Sequence, residues 1–443
     1  MGTFRSAEIP EAWMRWTKSS YARLADVRDG GRKLKEIEGR PVMQRPVCFL
    51  SGLVVFLLGL APVEAQFKVE PKADVFGFED EPRREFYSPV RYNRVEGFFA
   101  AFGVTVRNRK NGPLSLSADA GYGLASKRWG YNVSLEWKLP FPAHTRLGGT
   151  LFRDLGSDDG WIMGRLENSF AAAIFGEDFL DYYWQEGAKI WIQKAFGEKF
   201  HLRAEFSAAS YSTARTNASW HLLGKNKTFR SNPPVQNGRE NRLRIEWIID
   251  ELDNPIFPVQ GWYMEGALEK GGGFLGGDSD LANTGLFVTI KFFQPTVGNQ
   301  RFIFTGRFGK RWDSTDLRHL MTLGGVGSLR GYRDRELKYG NNLVFGRFEY
   351  ALGGDLLQKI PLQRIPFFSS LGLTLFYEVG ALWNRFDGQP PGAPYYASEK
   401  REWKSDVGVS LSVTGDFLRV DFAHRLDGYG DPWRVTFRVL PKW

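Results

Sequence analysis

LGLTLFYEVGALW, residues 371–383, alternates between two unlike faces. Leu371, Leu373, Leu375, Tyr377, Val379, Ala381 and Trp383 lie on one side; Gly372, Thr374, Phe376, Glu378 and Gly380 lie on the other. A period of two is the signature of a β-strand. The run is longer than the about five to six residues of an ordinary soluble strand. It is long enough for a tilted strand to cross a bilayer, which takes about 9–11 residues. In a membrane one face must be apolar toward lipid, while the other can carry charge into a lumen. No backbone group can stay unpaired in lipid, so such a sheet must close on itself.

The same rhythm recurs from about residue 94 to the end. In Tyr131–Leu139, Tyr131, Val133, Leu135 and Trp137 oppose Asn132, Ser134, Glu136 and Lys138. In Arg242–Ile249, Leu243, Ile245, Trp247 and Ile249 oppose Arg242, Arg244 and Glu246. The last run sets Trp433, Val435, Phe437 and Val439 against Arg434, Thr436 and Arg438. Tryptophans near run ends (Trp137, Trp191, Trp247, Trp262, Trp383, Trp433) fit interfacial girdles, although strand propensity alone also favours aromatics. The expectation is an all-β, antiparallel transmembrane barrel over residues 92–443. Its length leaves about 22 residues per strand and connection for sixteen strands, and 14 or 18 fit as well.

Composition agrees. Aromatics make up 15% and there are 50 glycines, which excludes a disordered chain. The mean hydropathy of −0.34 excludes a bundle of membrane helices. A net charge of +9 on 443 residues is no nucleic-acid signature. The single cysteine, Cys48, excludes a disulfide framework and a cysteine zinc site.

Val47–Ala61 (VCFLSGLVVFLLGLA) is the only long apolar run, short for a spanning helix. Arg45 precedes it and Val63-Glu64-Ala65 follows, the layout of a secretory signal peptide over residues 43–65, cut before Gln66. Residues 1–42 then read as an over-extended start, with Met43 the true one; the alternative is a cytoplasmic extension with an uncleaved anchor. Residues 66–91 read as a charged, proline-interrupted periplasmic lead-in.

Motifs of chemistry are absent. The five histidines stand at no His-x-x-x-His or His-x-Glu spacing, so no local metal site is expected. No Gly-x-Ser-x-Gly elbow exists. The glycine-rich stretch 324–331 fits neither a dinucleotide fingerprint nor a phosphate loop. No catalytic residue and no cofactor are expected.

Four stretches carry a family resemblance. LGGVGSLRGY (residues 323–332) resembles the loop signature of the BamA/TamA superfamily, the bacterial surface antigens. DNPIFPVQG (residues 253–261), with Asp253, Pro255, Pro258 and Gly261, is similar to that family's turn before a mid-barrel strand. FYEVG (residues 376–380) resembles an aromatic strand in which the family usually has Asp where Glu378 stands. LRVDFA (residues 418–423) resembles the next-to-last strand, and the closing Trp443 is similar to an outer-membrane assembly signal.

The resemblance implies a sixteen-stranded barrel in the outer membrane of a Gram-negative-type cell. It implies a weak seam between first and last strands (near Arg94–Val106 and Trp433–Leu440) and a loop folded into the lumen. The 26 residues from Gln66 to Arg91 are too few for a POTRA domain, so the chain resembles the POTRA-less branch. Read alone, Arg330 either reaches inward to Glu378 and Asp421, fixing Gly331 and Tyr332 with it, or stands in solvent on an external loop while Glu378 lines a pore. A bidentate arginine–carboxylate pair would fix geometry as well as charge.

Three functional readings remain. The first is insertion or translocation of proteins or lipids, with outer-membrane lipids including lipopolysaccharide, client outer-membrane or secreted proteins and a periplasmic partner supplying the POTRA role. The second is a passive channel or surface-exposed structural barrel, whose lumen arginines (Arg242, Arg244, Arg307, Arg311, Arg434, Arg438) would favour anions. The third is a barrel enzyme, which would need a Ser/His or Asp/His cluster at one rim.

Overall fold

The computed structural model describes residues 83–439 except 108–111, 143, 224–226, 255–257, 274–275, 279–280, 299, 313–315, 353–370, 386–396, 414–417 and 429. Residues 1–42, the expected signal peptide at 43–65, the expected lead-in up to 82, Pro255, Leu440 and Trp443 therefore lie outside the described residues.

Strand pairing begins earlier than the alternation suggested. β1 (Arg83–Tyr87) and β2 (Val90–Asn93) both pair with β3 (Gly97–Arg107). Arg83 faces Arg107, Tyr87 faces Gly103, Val90 faces Ala100 and Asn93 faces Gly97. That is one continuous register, so β1 and β2 are a single barrel strand broken at Ser88-Pro89, where proline has no amide to donate. The break is bridged: the Ala101 amide donates to the Pro89 carbonyl at 2.9 Å, and Ser88 Oγ to the Ala101 carbonyl at 2.8 Å. Residues 83–91 thus belong to the sheet rather than to a lead-in. Arg94, taken from sequence as the start of the first strand, sits in the turn after it.

The wall continues through β4 (Leu114–Gly123), β5 (Arg128–Leu139), β6 (Thr145–Gly156), β7 (Tyr183–Phe196), β8 (Phe200–Thr213), β9 (Gly238–Asp250), β10 (Gly261–Gly271), β11 (Asn283–Pro295) and β12 (Arg301–Arg311). A small separate hairpin, β13 (Met321–Leu323) with β14 (Leu337–Gly340), interrupts it. β15 (Asn342–Leu352), β16 (Gly372–Trp383), β17 (Trp403–Val413), β18 (Leu418–Arg425) and β19 (Trp433–Val439) complete it. Each wall strand pairs antiparallel with the next, giving a sixteen-stranded transmembrane β-barrel wall among the described residues.

The two faces separate as the alternation requires. Trp129, Tyr131, Val133, Leu135 and Trp137 stand exposed in one row on β5, and Trp433, Val435 and Phe437 on β19. In a bilayer these rows meet lipid. Val439 continues the outward register but is buried. Inward positions of β16, β17 and β18 bury Phe376, Glu378, Asp406, Ser410 and Asp421.

Connections alternate between the rims. One rim carries 157–182, 214–237, 312–341 and 384–402, and the other carries one connection of similar length, 353–371; the rim with most of the long loops is the outer face of such barrels. Beneath the long loops Val95, Leu155, Ile162, Met163, Phe179, Leu180, Tyr182, Ala214 and Val326 form an apolar cluster. Met321, Leu323, Leu329 and Tyr332 of the 312–341 loop pack against Leu343, Phe345 and Leu382 of the wall.

Candidate functional site

Arg330 lies at the tip of the 312–341 loop, fully buried inside the wall. Gly324 and Gly325 turn the chain inward with φ of +115° and +90°, a region that favours glycine. Gly331 follows, where an added Cβ would stand 2.8 Å from Asp406 Cβ and 3.0 Å from the Arg425 backbone nitrogen, so only glycine lets the tip approach the wall.

Every donor group of Arg330 but one is directed at a wall strand. Its backbone amide donates to Glu378 Oε2 at 2.8 Å, and Nε to Glu378 Oε1 at 3.0 Å. One terminal nitrogen donates to Asp421 Oδ1 at 3.1 Å and Ser410 Oγ at 3.3 Å; the other donates to Glu349 Oε1 at 3.1 Å. The guanidinium lies 3.5 Å above the Phe376 ring. The Gly331 amide donates to Asp406 Oδ2 at 2.9 Å, and the Tyr332 hydroxyl to the Ser405 carbonyl at 3.1 Å. The loop tip is thus tied to β15, β16, β17 and β18, the four strands preceding β19.

The carboxylates are shared with further cations. Arg347 pairs with Glu378 and reaches back to the Ser328 carbonyl at 3.1 Å. Arg419 pairs with Asp421 at 2.7 Å and Glu349 at 2.8 Å. Arg330, Glu378 and Asp421, named from sequence, therefore meet. Glu349, Asp406, Ser410 and Arg347 complete the cluster and carried no motif, and Phe376 joins them from the FYEVG stretch. Their only sequence signal is a charged or small residue on the inward register of a strand.

The other named residues lie elsewhere. Asp253 organises the turn before β10: its Oδ1 accepts the Val259 amide at 3.0 Å and the Gln260 amide at 3.1 Å, and these bonds hold its carboxyl below the usual value. Pro258 is buried, and Gly261 takes φ +114°. Trp433, Val435 and Phe437 stand exposed on the outward face of β19, opposite the face that bears the clamp on the neighbouring strands.

A second ionic cluster, unforeseen in the sequence, joins the outer loops. Arg94 is fully buried and pairs with Asp178 at 3.1 Å and Asp181 at 3.0 Å. Arg335 pairs with Asp159 at 2.6 Å and Asp181 at 3.0 Å, and Arg230 also reaches Asp181. Burial pushes the Asp181 carboxyl up, but Arg335, Arg230 and Arg94 outweigh it and hold it below its ordinary value. For Asp159 burial wins over Arg335, and its carboxyl is raised. Four connections, 94–96, 157–182, 214–237 and 312–341, are thereby bound into one cap over the outer mouth.

Near the last strand lies a short helix, Arg165–Phe170, continued by a π-helical turn, Ala171–Phe175. Glu167 accepts both Nε and a terminal nitrogen of Arg438, at 2.8 and 2.9 Å, and both side chains are buried. RLENSFAAAIF shows helical rather than strand spacing, with Leu166, Phe170 and Ile174 at intervals of four. That signal is short and is swamped by the strand rhythm around it.

Among the described residues, no group of three or more His, Cys, Asp and Glu side chains is placed to hold a metal ion. The model of the Omp85 superfamily domain matches residues 112–437. A crystal structure of BamA from Haemophilus ducreyi lacking POTRA domains 1–3 is similar at 15% identity and a TM-score of 0.54, over 81% of this chain and 70% of that one. CdiB from Escherichia coli is similar at 13% identity and a TM-score of 0.41, over 81% of this chain and 62% of that one. The chain thus spans less than two thirds of the CdiB structure's length. No curated protein sequence matches it.

Proposed function

The chain belongs to the Omp85 superfamily of outer-membrane insertion and translocation barrels, and from that premise we propose that it passes client proteins into or across the membrane by parting its first and last strands while the Arg330 clamp holds the neighbouring wall rigid. The superfamily's barrels are transport and insertion proteins, not enzymes, and they reside in the outer membrane of Gram-negative bacteria.

The distribution of ties carries this reading. Arg330 and Gly331 fasten β15, β16, β17 and β18 to one loop, whereas among the described residues β19 meets this cluster through the Thr436 hydroxyl, which donates to Asp421 Oδ2 at 3.4 Å. β19 pairs with β18 over seven residues, Trp433–Val439 against Leu418–His424, and beyond it the wall runs on to the first strand, where β2 pairs with β3. A stiff plate therefore ends at β18, and β19 stands beyond the direct hold of Arg330 and Gly331. A strand edge that can be freed offers unpaired amides and carbonyls to an incoming strand. Outer-membrane lipids would bathe the apolar band at the seam and feel it open.

The channel reading is the weaker one, because the cap of Arg94, Arg335 and their aspartates covers the outer mouth. The test is a folding assay with the protein reconstituted in liposomes. An unfolded outer-membrane barrel is expected to insert faster than into empty liposomes, and Arg330→Ala is expected to lose that acceleration. Equal rates with and without the protein would overturn the reading.

A further inference from the structure

Tyr92 holds a clue to the seam. In an antiparallel ladder alternate residues bond to one neighbour and then to the other. The Ala101 amide donates to the Pro89 carbonyl, so Arg91 and Asn93 are the residues bonded to β3, and the Tyr92 amide turns to the far edge of β2. On that edge the Tyr92 amide donates to Ser169 Oγ at 3.2 Å, a side chain of the short helix. Ser169 in turn donates to the Arg165 carbonyl at 2.8 Å.

The same helical segment grips the other side. Glu167 holds Arg438, on the lumen face of β19, through two buried bonds of 2.8 and 2.9 Å. Phe175 meets Phe437, on the lipid face of β19, edge to face at 5.4 Å between ring centres. It is anchored from behind: Asn168 Nδ2 donates to Asp178 Oδ1 at 3.0 Å, and Asp178 belongs to the cap with Arg94. The Leu222 and Leu223 amides donate to the Ala173 and Ile174 carbonyls at 2.9 and 2.8 Å, tying the π-helical turn to the 214–237 connection.

We propose that Arg165–Phe175 is a built-in seam latch: it occupies the edge position on β2 that an incoming strand would take and pins β19 through Glu167–Arg438. The segment acts as an internal competitor, and a client must displace it. This rests on the insertion reading above and adds the regulation of the same seam. Glu167–Arg438 is the strongest single tie, because a doubly hydrogen-bonded ion pair shielded from water is weakly screened. The latch also couples to the cap through Asn168 and Asp178, so disturbing the outer loops should loosen it.

The experiment uses the full chain in liposomes. Glu167→Gln keeps the shape but removes the charge. It is expected to raise the rate of client insertion roughly tenfold, the factor matching loss of one charged hydrogen-bonded contact. The double exchange Glu167→Arg with Arg438→Glu is expected to return the rate toward the unaltered protein. Phe175→Cys with Phe437→Cys, in a Cys48→Ser background and joined by a reducible thiol cross-linker, is expected to stop insertion until the linker is cleaved.

A second readout needs no client. Deuterium uptake at the Tyr92 amide should rise several-fold in Glu167→Gln and in Ser169→Ala. Unchanged uptake in both variants, or a cross-linked protein that inserts clients at the original rate, would overturn the latch. Faster uptake without insertion by any form would sink the insertion reading and leave the latch standing.

Discussion

Arg330 gathers more charge than any other residue of the loop tip, and its surroundings define what its removal does. Glu378, Glu349 and Asp421 converge on it from three strands with almost no exposure. Arg330→Ala leaves them short of a cation, and breaking a buried ion pair from one side costs about 3–5 kcal/mol. The expected outcome is a lower temperature for loss of the folded band on seminative gels. Arg330→Lys should rescue little, because an ammonium cannot address three strands with a planar fork. His319 supplies a pH dependence. Burial first, and then Arg318, push its pKa below the ordinary value despite Glu240. A terminal nitrogen of Arg318 donates to His319 Nε2 at 2.8 Å, which requires that nitrogen to be unprotonated. Above the ordinary histidine value of about 6.5 the folded and unfolded chains are both neutral there. Below it the unfolded chain takes up a proton that the folded chain refuses, so stability falls as pH falls. Melting between pH 8 and 5 should show this slope, and His319→Gln should flatten it; an equal slope in the variant would contradict the assignment.

Among the elements, the turn into β10 is the most demanding. At Gly261 the backbone has φ +114°, and an added Cβ would lie 2.1 Å from the Glu251 carbonyl oxygen. Gly261→Ala combines strain of about 1–3 kcal/mol with a backbone clash. It should slow barrel assembly, seen as a smaller folded fraction at fixed refolding time, whereas Asp253→Asn should be milder because one amide acceptor remains. This turn and the strands around it were legible in the sequence, since a barrel wall faces lipid on one side and lumen on the other and writes both into every second residue. β1 and β2 were not, because Pro89 splits the strand into pieces too short to show a period. The helix at Arg165–Phe170 was hidden for a related reason: its helical spacing covers barely two turns. Of the clamp, Arg330, Glu378 and Asp421 could be named because the loop and strands resemble a known pattern. Glu349 and Asp406 could not, since nothing local marks a carboxylate whose partner, the Arg330 guanidinium or the Gly331 amide, arrives from 19 or 75 residues away.

At the scale of the whole molecule, ions that would line an open pore are instead consumed by the protein itself. Of the six arginines expected to give a channel its anion preference, Arg242, Arg244 and Arg311 converge on Glu269, and Arg438 is held by Glu167. The outer mouth is bound by Arg94 and Arg335 through Asp159, Asp178 and Asp181. In planar bilayers the unaltered protein should therefore show little steady current. Arg335→Ala removes ties to Asp159 and Asp181 together, and the double variant with Arg94→Ala also frees the turn after β2. Current should rise in the single variant and further in the double. The opened lumen should discriminate only weakly between anions and cations, because most of its arginines already face carboxylates. A large, strongly anion-selective current from the unaltered protein would instead favour the channel. The latch gives the same experiment a second consequence: since Asp178 links the cap to Asn168, Arg94→Ala should also speed deuterium uptake at Tyr92, whereas a cap that merely covers the mouth would leave that amide unchanged.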